Sequence, residues 1–205
     1  TWAFVVSPRR ALMAEGGVRP AAMSDQHQDR PETICAVATP PGRGGIGIVR
    51  ISGPDAFAAA SLLCRSPGRT GPPVTLLQRK RGMTRGTVVD STDGGVLDDA
   101  LLLTFPGPHS YTGEDSVEIH CHGSPAVLAR VLELCLSHGA RLANPGEFTL
   151  RAFRNGRIDL TQAEAVLHVV NAETAAAAKM AAAHVGGVLG REIAGMEEAL
   201  RLQIA

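Results

Sequence analysis

The residues with the most chemical content fall on one strand-like segment, Glu114–His122. Alternation along it puts Val117, Ile119 and Cys121 on one face and Ser116, Glu118, His120 and His122 on the other. A carboxylate in mid-strand is costly if its face is covered without a donor to meet it. Either that face is open to solvent, or Glu118 is aimed at a ligand that offers adjacent N–H donors. A pterin has such an edge, a ring N–H beside an exocyclic amine, so one carboxylate accepts both hydrogen bonds. Arg50 raises the same choice. It shares a strand face with Ile46 and Ile48, where it serves either a structural ion pair or an anionic ligand. Arg157 follows the Asn155-Gly156 turn and is free to reach a pocket mouth. Two guanidinium forks suit a ligand tail with two carboxylates, such as the glutamate of a folate.

Other motifs carry less. Gly42-Arg-Gly-Gly45 looks like a phosphate cradle, but an alternating strand follows it where a cradle needs a helix N-terminus. No G-x-x-x-x-G-K-[ST] occurs in the 205 residues, so GTP hydrolysis is not expected of this stretch. His120-Cys121-His122 with Cys135 and His138 has zinc-ligand residue types, yet on a strand Cys121 points away from both neighbouring histidines. Arg79, Lys80, Arg81 and Arg85 form a basic cluster that suits either RNA phosphates or a solvated edge; no aromatics for base stacking lie beside it.

The positioning elements can be read from pattern. Thr33–Ala38 is a short apolar strand, and a Pro/Gly-rich turn over 40–45 leads into a strand over 46–52. Ser52, Gly53 and Pro54 open a helix to about Cys64, with Phe57, Ala60 or Ser61, and Cys64 inward. Residues 66–73 read as loop. Gly86–Asp90 and Asp99–Phe105 form a hairpin around Asp93-Gly94-Gly95. After the strand 114–122, Ser124 caps a helix with Pro125 at its first position and Gly139 beyond its end. Its expected buried stripe is Leu128, Val131, Leu132 and Cys135; Arg141–Ala143 returns as a short strand. From Asn144 the pattern is helical. A short helix stops at Asn155-Gly156, and Asp159 with Gln162, or Thr161 with Glu164, supplies a capping box. The alanine-rich run Ala165–His184 favours one continuous helix, Gly186-Gly187 weakens it, and Arg191–Ala205 resumes with no stop signal, so the chain is expected to continue.

Composition fits this α+β reading. Hydrophobic residues make up 44% and aromatics only 3%, so aliphatic side chains must build the core. No apolar run reaches the length of a membrane span, and no membrane is expected as a partner. Residues 1–90 carry twelve Lys/Arg against six Asp/Glu, and residues 91–205 carry eight against fourteen, so the zero net charge hides a basic first part and an acidic second. Cys35, Cys64, Cys121 and Cys135 show no disulfide spacing and read as reduced thiols, which suits the cytoplasm. Residues 1–30 read as a disordered extension; their Arg and Ala content raises a mitochondrial alternative, and Met23 would make a natural start.

Three blocks then fall in order. Thr33-Ile-Cys-Ala-Val-Ala-Thr-Pro-Pro-Gly-Arg-Gly-Gly-Ile-Gly-Ile-Val-Arg-Ile-Ser-Gly53 is followed by Phe105-Pro-Gly-Pro with Tyr111-Thr-Gly-Glu-Asp, and then by Pro145-Gly-Glu-Phe-Thr. From about residue 32 onward the chain resembles the N-terminal region of the tRNA-modification GTPases of the MnmE or TrmE family. The resemblance implies a mixed, mostly antiparallel sheet with packed helices over 31–144, binding a tetrahydrofolate and forming a homodimer. It implies the start of an all-α helical domain over 145–205. The family's folate contacts fall by motif position on Arg50, Glu118 and Arg157. The ligand implied is 5-formyl-tetrahydrofolate or 5,10-methylene-tetrahydrofolate, the one-carbon donor for an aminomethyl-type group on the wobble uridine of tRNA. A flavoprotein of the MnmG or GidA kind is the implied partner, and GTP, Mg²⁺ and K⁺ belong to a GTPase domain outside these residues. Arg157 stands where many members carry Lys, and Ser124 replaces the second glycine common after His122-Gly123. The family's C-terminal Cys-x-Gly-Lys tail is also not among these residues. A folate-dependent aminomethyl-transfer enzyme remains an alternative, as does a dimerisation scaffold with a vestigial pocket. The first would need a catalytic acid or base beyond the folate contacts, and the sequence offers none.

Overall fold

The computed structural model describes residues 32–66 and 80–204; the expectations for residues 1–30, for the Pro/Gly-rich stretch after Ser66 and for Arg79 lie outside them. Among the described residues seven strands form one sheet: β1 (Ile34–Val37), β2 (Gly44–Ser52), β3 (Cys64–Arg65), β4 (Gly82–Val89), β5 (Val96–Phe105), β6 (Ser116–Gly123) and β7 (Arg141–Leu142). Their order is β3-β4-β5-β6-β2-β1-β7. Every neighbouring pair is antiparallel except β1 and β7, so the sheet is mixed and mostly antiparallel, as expected.

Period-two alternation decides which side chains reach which layer. Cys35, Val49, Ile51, Val117, Ile119 and Cys121 all turn to one face, which α1 (Ala56–Leu63) and α2 (Pro125–Ser137) cover. Phe57, Leu63, Leu128, Val131, Leu134 and Cys135 close that core from the helices. Each fully buried aliphatic side chain there contributes about 1.5–3 kcal/mol. The stripe on α2 differs from expectation at one position: Leu134 is buried and Leu132 only partly so, because the contact face rotates toward the C-terminal turn. Helix α1 also ends one residue earlier than expected. Cys64 leaves it to open β3 against Val88, and stays buried as a strand residue.

The sheet's second face carries a smaller core of Ile34, Ala36, Ala143 and Phe148, the last from α3 (Glu147–Arg154). This is the face that holds Arg50 and Glu118. The β2–β6 pair that aligns them also brings the two backbones close at its other end. The register shifts between Gly44 and Gly47 there, and a Cβ on Gly123 would lie 2.5 Å from the carbonyl oxygen of Gly44. Only glycine at position 123 lets the strands close at that point.

The helical part departs from the sequence in one respect. The alanine-rich run does not form one helix but two, α4 (Leu160–Val170) and α5 (Ala175–Val185), followed by α6 (Val188–Ile204). The break is built by local polar groups. Asn171 ends α4, and the Thr174 hydroxyl accepts a hydrogen bond from Ala177 N at 3.1 Å to start α5. Folding back lets α4 and α5 bury apolar surface that a single straight helix would leave wet. At the start of α4 the capping box uses Asp159 with Gln162. Among the described residues no helix is long and apolar enough to cross a membrane.

Candidate functional site

Arg50 on β2 and Glu118 on β6 are register partners, so their side chains leave the same sheet face side by side. Arg50 donates from Nε and Nη2 to Oε1 of Glu118, at 2.9 and 2.6 Å. The second carboxylate oxygen, Oε2, lies 3.0 Å from Nε2 of His120, two positions along the same strand. About 15% of each of the two side chains remains exposed, so the pair is sheltered but not sealed. Glu118 itself is sheltered, with Arg50 and His120 as its partners, while farther along the same face Ile46, Leu101 and His122 stay exposed to solvent. Burial pushes the Glu118 carboxyl up, but the His120 hydrogen bond and the Arg50 charge together outweigh burial and hold it below the usual carboxylate range. It is a carboxylate at neutral pH.

The guanidinium of Arg50 is also boxed by rings, with Cζ 5.9 Å from the centroid of Tyr111 and 5.6 Å from that of Phe148. Such cation–π contacts restrict its rotamers as well as offsetting desolvation. Beside it opens a cleft of ≈ 340 Å³ lined by Arg50 and Tyr111 on one side and by Val166, Val169, Ala182 and Val185 of α4 and α5 on the other. An apolar slot with a few oriented polar groups at one wall is the form of a small-molecule site.

The loop 106–115 is held in place by a polar network that the sequence did not disclose. Asn155 Nδ2 donates to Thr112 O at 2.7 Å, and the Tyr111 hydroxyl lies 3.0 Å from Thr149 Oγ1 on α3. Ser52 Oγ donates to Glu114 Oε2 at 2.8 Å, and Arg151 Nη1 reaches both oxygens of Glu114. Arg151 and Arg141 in turn grip Glu147, whose pKa is lowered to about 2, chiefly by the Arg141 hydrogen bonds. The one cue in the sequence is the Glu147–Arg151 spacing of four on a short helix. Thus Tyr111-Thr-Gly-Glu-Asp115 and Pro145-Gly-Glu-Phe148 are coupled pieces: the first forms the site loop, the second clamps it.

Arg157 sits apart from the other two predicted residues. It is exposed, donates from Nε to Ser110 O at 3.2 Å, and lines a separate hollow with Arg81, Pro106, Gly107 and His109. The two cavities flank the same loop, since Tyr111 borders one and Ser110 anchors Arg157 at the other. Arg50 and Glu118 are brought together; Arg157 meets the same loop at Ser110 and lines the other hollow. Of the basic cluster, Arg85 pairs with Asp99 at 3.0 Å, and Arg81 stacks over Phe105 at 5.6 Å. The zinc-like grouping comes apart, because Cys121 and Cys135 lie in the main core while His122 bonds Asp98 and His120 bonds Glu118 on the opposite face.

A family model described as the GTP-binding protein TrmE N-terminus matches residues 33–157, more than half of the chain. The chain belongs to this family. The residues of the Arg50–Glu118 pair, the loop and the α3 clamp all fall inside the matched span. A tRNA modification GTPase MnmE of Chloroflexus aurantiacus is 52% identical over 164 residues, covering 79% of this chain and 34% of that protein. Proteins of the same name from Symbiobacterium thermophilum and Nitratidesulfovibrio vulgaris are 51% and 48% identical over 174 and 183 residues, covering 37% and 38% of their lengths. The chain therefore spans little more than a third of the MnmE relatives it matches, and it corresponds to their N-terminal part.

Proposed function

We propose that this chain is the folate-holding, subunit-pairing part of a tRNA-modification GTPase, and that its ligand is 5-formyl- or 5,10-methylene-tetrahydrofolate. The observation that carries the reading is the ionised Glu118, sheltered on the wall of the sheet next to an apolar slot of ≈ 340 Å³. A pterin ring is flat and largely apolar on its faces, with its hydrogen-bonding donors along one edge. The slot between Tyr111 and the Val166, Val169, Ala182 and Val185 side chains suits the faces, and Glu118, hydrogen-bonded to the Arg50 that lines the slot, suits the edge.

Glu118 already receives donors from Arg50 and His120. A ring N–H and an exocyclic amine would take over part of that set, so the carboxylate exchanges partners and is never left bare. Arg50 is then released toward the ligand while Tyr111 and Phe148 still support its guanidinium. Arg157, in the hollow beside the same loop, supplies a cation for the glutamate end. In this reading the chain's part is to bind and orient the one-carbon donor. In the whole protein that donor serves wobble-uridine modification of tRNA with a flavoprotein of the MnmG or GidA kind, and two copies of this domain pair.

Calorimetric titration with 5-formyl-tetrahydrofolate and separately with GTP tests the reading. Saturable heat with the folate and none with GTP is expected; the reverse pattern refutes it. Sedimentation of the same sample should give a dimer, and a strictly monomeric protein would remove the pairing role.

A further inference from the structure

The hollow beside Arg157 has features that a single glutamate tail does not use. It measures ≈ 760 Å³, and its lining of Arg81, Pro106, Gly107, His109 and Arg157 contains no acid. Both guanidiniums are held only by neutral groups. Arg81 donates from Nη2 to the carbonyl of His109 and stacks over Phe105; Arg157 donates from Nε to the carbonyl of Ser110. Among the described residues neither meets a carboxylate, so most N–H donors of each fork face the hollow or water. Arg157 is also buttressed from behind. Gly113 sits at φ +79°, and a Cβ there would lie 3.1 Å from Arg157 Cγ, so the loop backbone closes directly onto the stem of the arginine.

The geometry ties this hollow to the Glu118 slot. Phe105, under Arg81, pairs with Ser116, one step along the same sheet face from the Leu103–Glu118 pair. Two residues along the strands and two strands across put the Cα atoms of Arg81 and Glu118 about 12 Å apart. A pteroyl group, a bicyclic ring joined through a methylene-amine to a benzoyl ring, spans a distance of that order.

We infer that this hollow is a subsite for the γ-linked glutamate extension of a folate, with Arg81 continuing the run of cations that Arg157 begins. It rests on the folate reading above. Each γ-glutamyl unit adds one carboxylate on a flexible link, and an acid-free basin with two oriented forks takes such a chain electrostatically. The competing occupant, an RNA backbone, is less well served: the hollow has no open aromatic face for a base, because Arg81 already covers Phe105.

The test compares 5-formyl-tetrahydrofolate with one and with three glutamates, titrated calorimetrically into the chain at low and moderate salt. The triglutamate should bind about tenfold tighter at low salt, with the advantage shrinking as salt rises. Arg81→Gln should bring the tri-to-mono ratio within about twofold of one, and Arg81→Lys should keep most of it. Equal affinity of the two forms, with the monoglutamate clearly bound, overturns the subsite and leaves the folate reading standing. Absence of binding by either form overturns both. If Arg81→Gln weakens binding of unmodified tRNA while the ratio was one from the start, the hollow is an RNA contact and this inference is wrong.

Discussion

Replacing Glu118 by Gln keeps shape and removes charge, and so separates a ligand-reading carboxylate from a space-filling one. In the free protein the Arg50 Nε and Nη2 bonds change from charge-assisted to neutral acceptance. Charge-assisted bonds contribute about 1.5–3 kcal/mol and neutral ones about 0.5–1.5. Losing about 1 kcal/mol at each of the two bonds gives a cost of roughly 2 kcal/mol, with little relief from water at a site this sheltered. In a protein of this size that lowers the thermal midpoint by about 4–8 °C. The effect on folate binding should be larger. The pterin edge loses two charge-assisted bonds and meets an amide N–H in place of one acceptor, about 2–4 kcal/mol, or roughly 30- to 1,000-fold in Kd. Calorimetry at 25 °C, where the variant remains folded, measures this directly. A Kd within threefold of the parent, in a variant whose thermal midpoint has fallen as expected, would show that Glu118 serves only the Arg50 ion pair, and the site assignment would fail.

Three further outcomes follow from the same geometry. Phe148→Ala removes a fully buried ring that also supports Arg50, and should cost about 3–5 kcal/mol in urea unfolding; a loss below 1 kcal/mol would mean that the second-face core is not formed as described. Glu147 has a folded pKa lowered from 4.5 to about 2, so its contribution is fully present above about pH 4.5 and is lost as pH falls toward 2. The urea midpoint should therefore drop between pH 5 and pH 2.5 by less in Glu147→Gln than in the parent, and identical acid profiles would contradict the clamp. Burial pushes Cys64 and Cys121 up to about 12, so native protein at pH 8 should resist alkylation at these thiols while urea-unfolded protein reacts; rapid native labelling of either would place them outside the core.

Much of the scaffold was legible because it rests on local rules. Alternation in Val117-Glu118-Ile119-His120-Cys121 assigned both faces of β6, and Asn155-Gly156 and Asp159 with Gln162 marked helix ends, since turn and cap chemistry acts over a few residues. Where the sequence misled, a longer-range term won. Alanine propensity favoured one helix across Ala165–His184, yet packing of α4 on α5 outweighed a weak per-residue preference. The stripe on α2 shifted from Leu132 to Leu134 because contact with the sheet, not periodicity alone, sets the buried face.

The candidate site divides in the same way. Residue types and alternation by themselves put Glu118 and Arg50 on strand faces where a charge demands a partner, because a two-residue period is a property of the chain. That the partner is each other, that His120 takes the remaining oxygen and that Tyr111 and Phe148 box the guanidinium depended on strand register and on a helix arriving from thirty residues away. Those contacts join segments distant in sequence, and no local pattern encodes a distance between them. The separation of Arg157 into its own hollow beside Arg81 is likewise a product of the folded loop, since only a closed backbone decides which side of itself a neighbouring side chain must take.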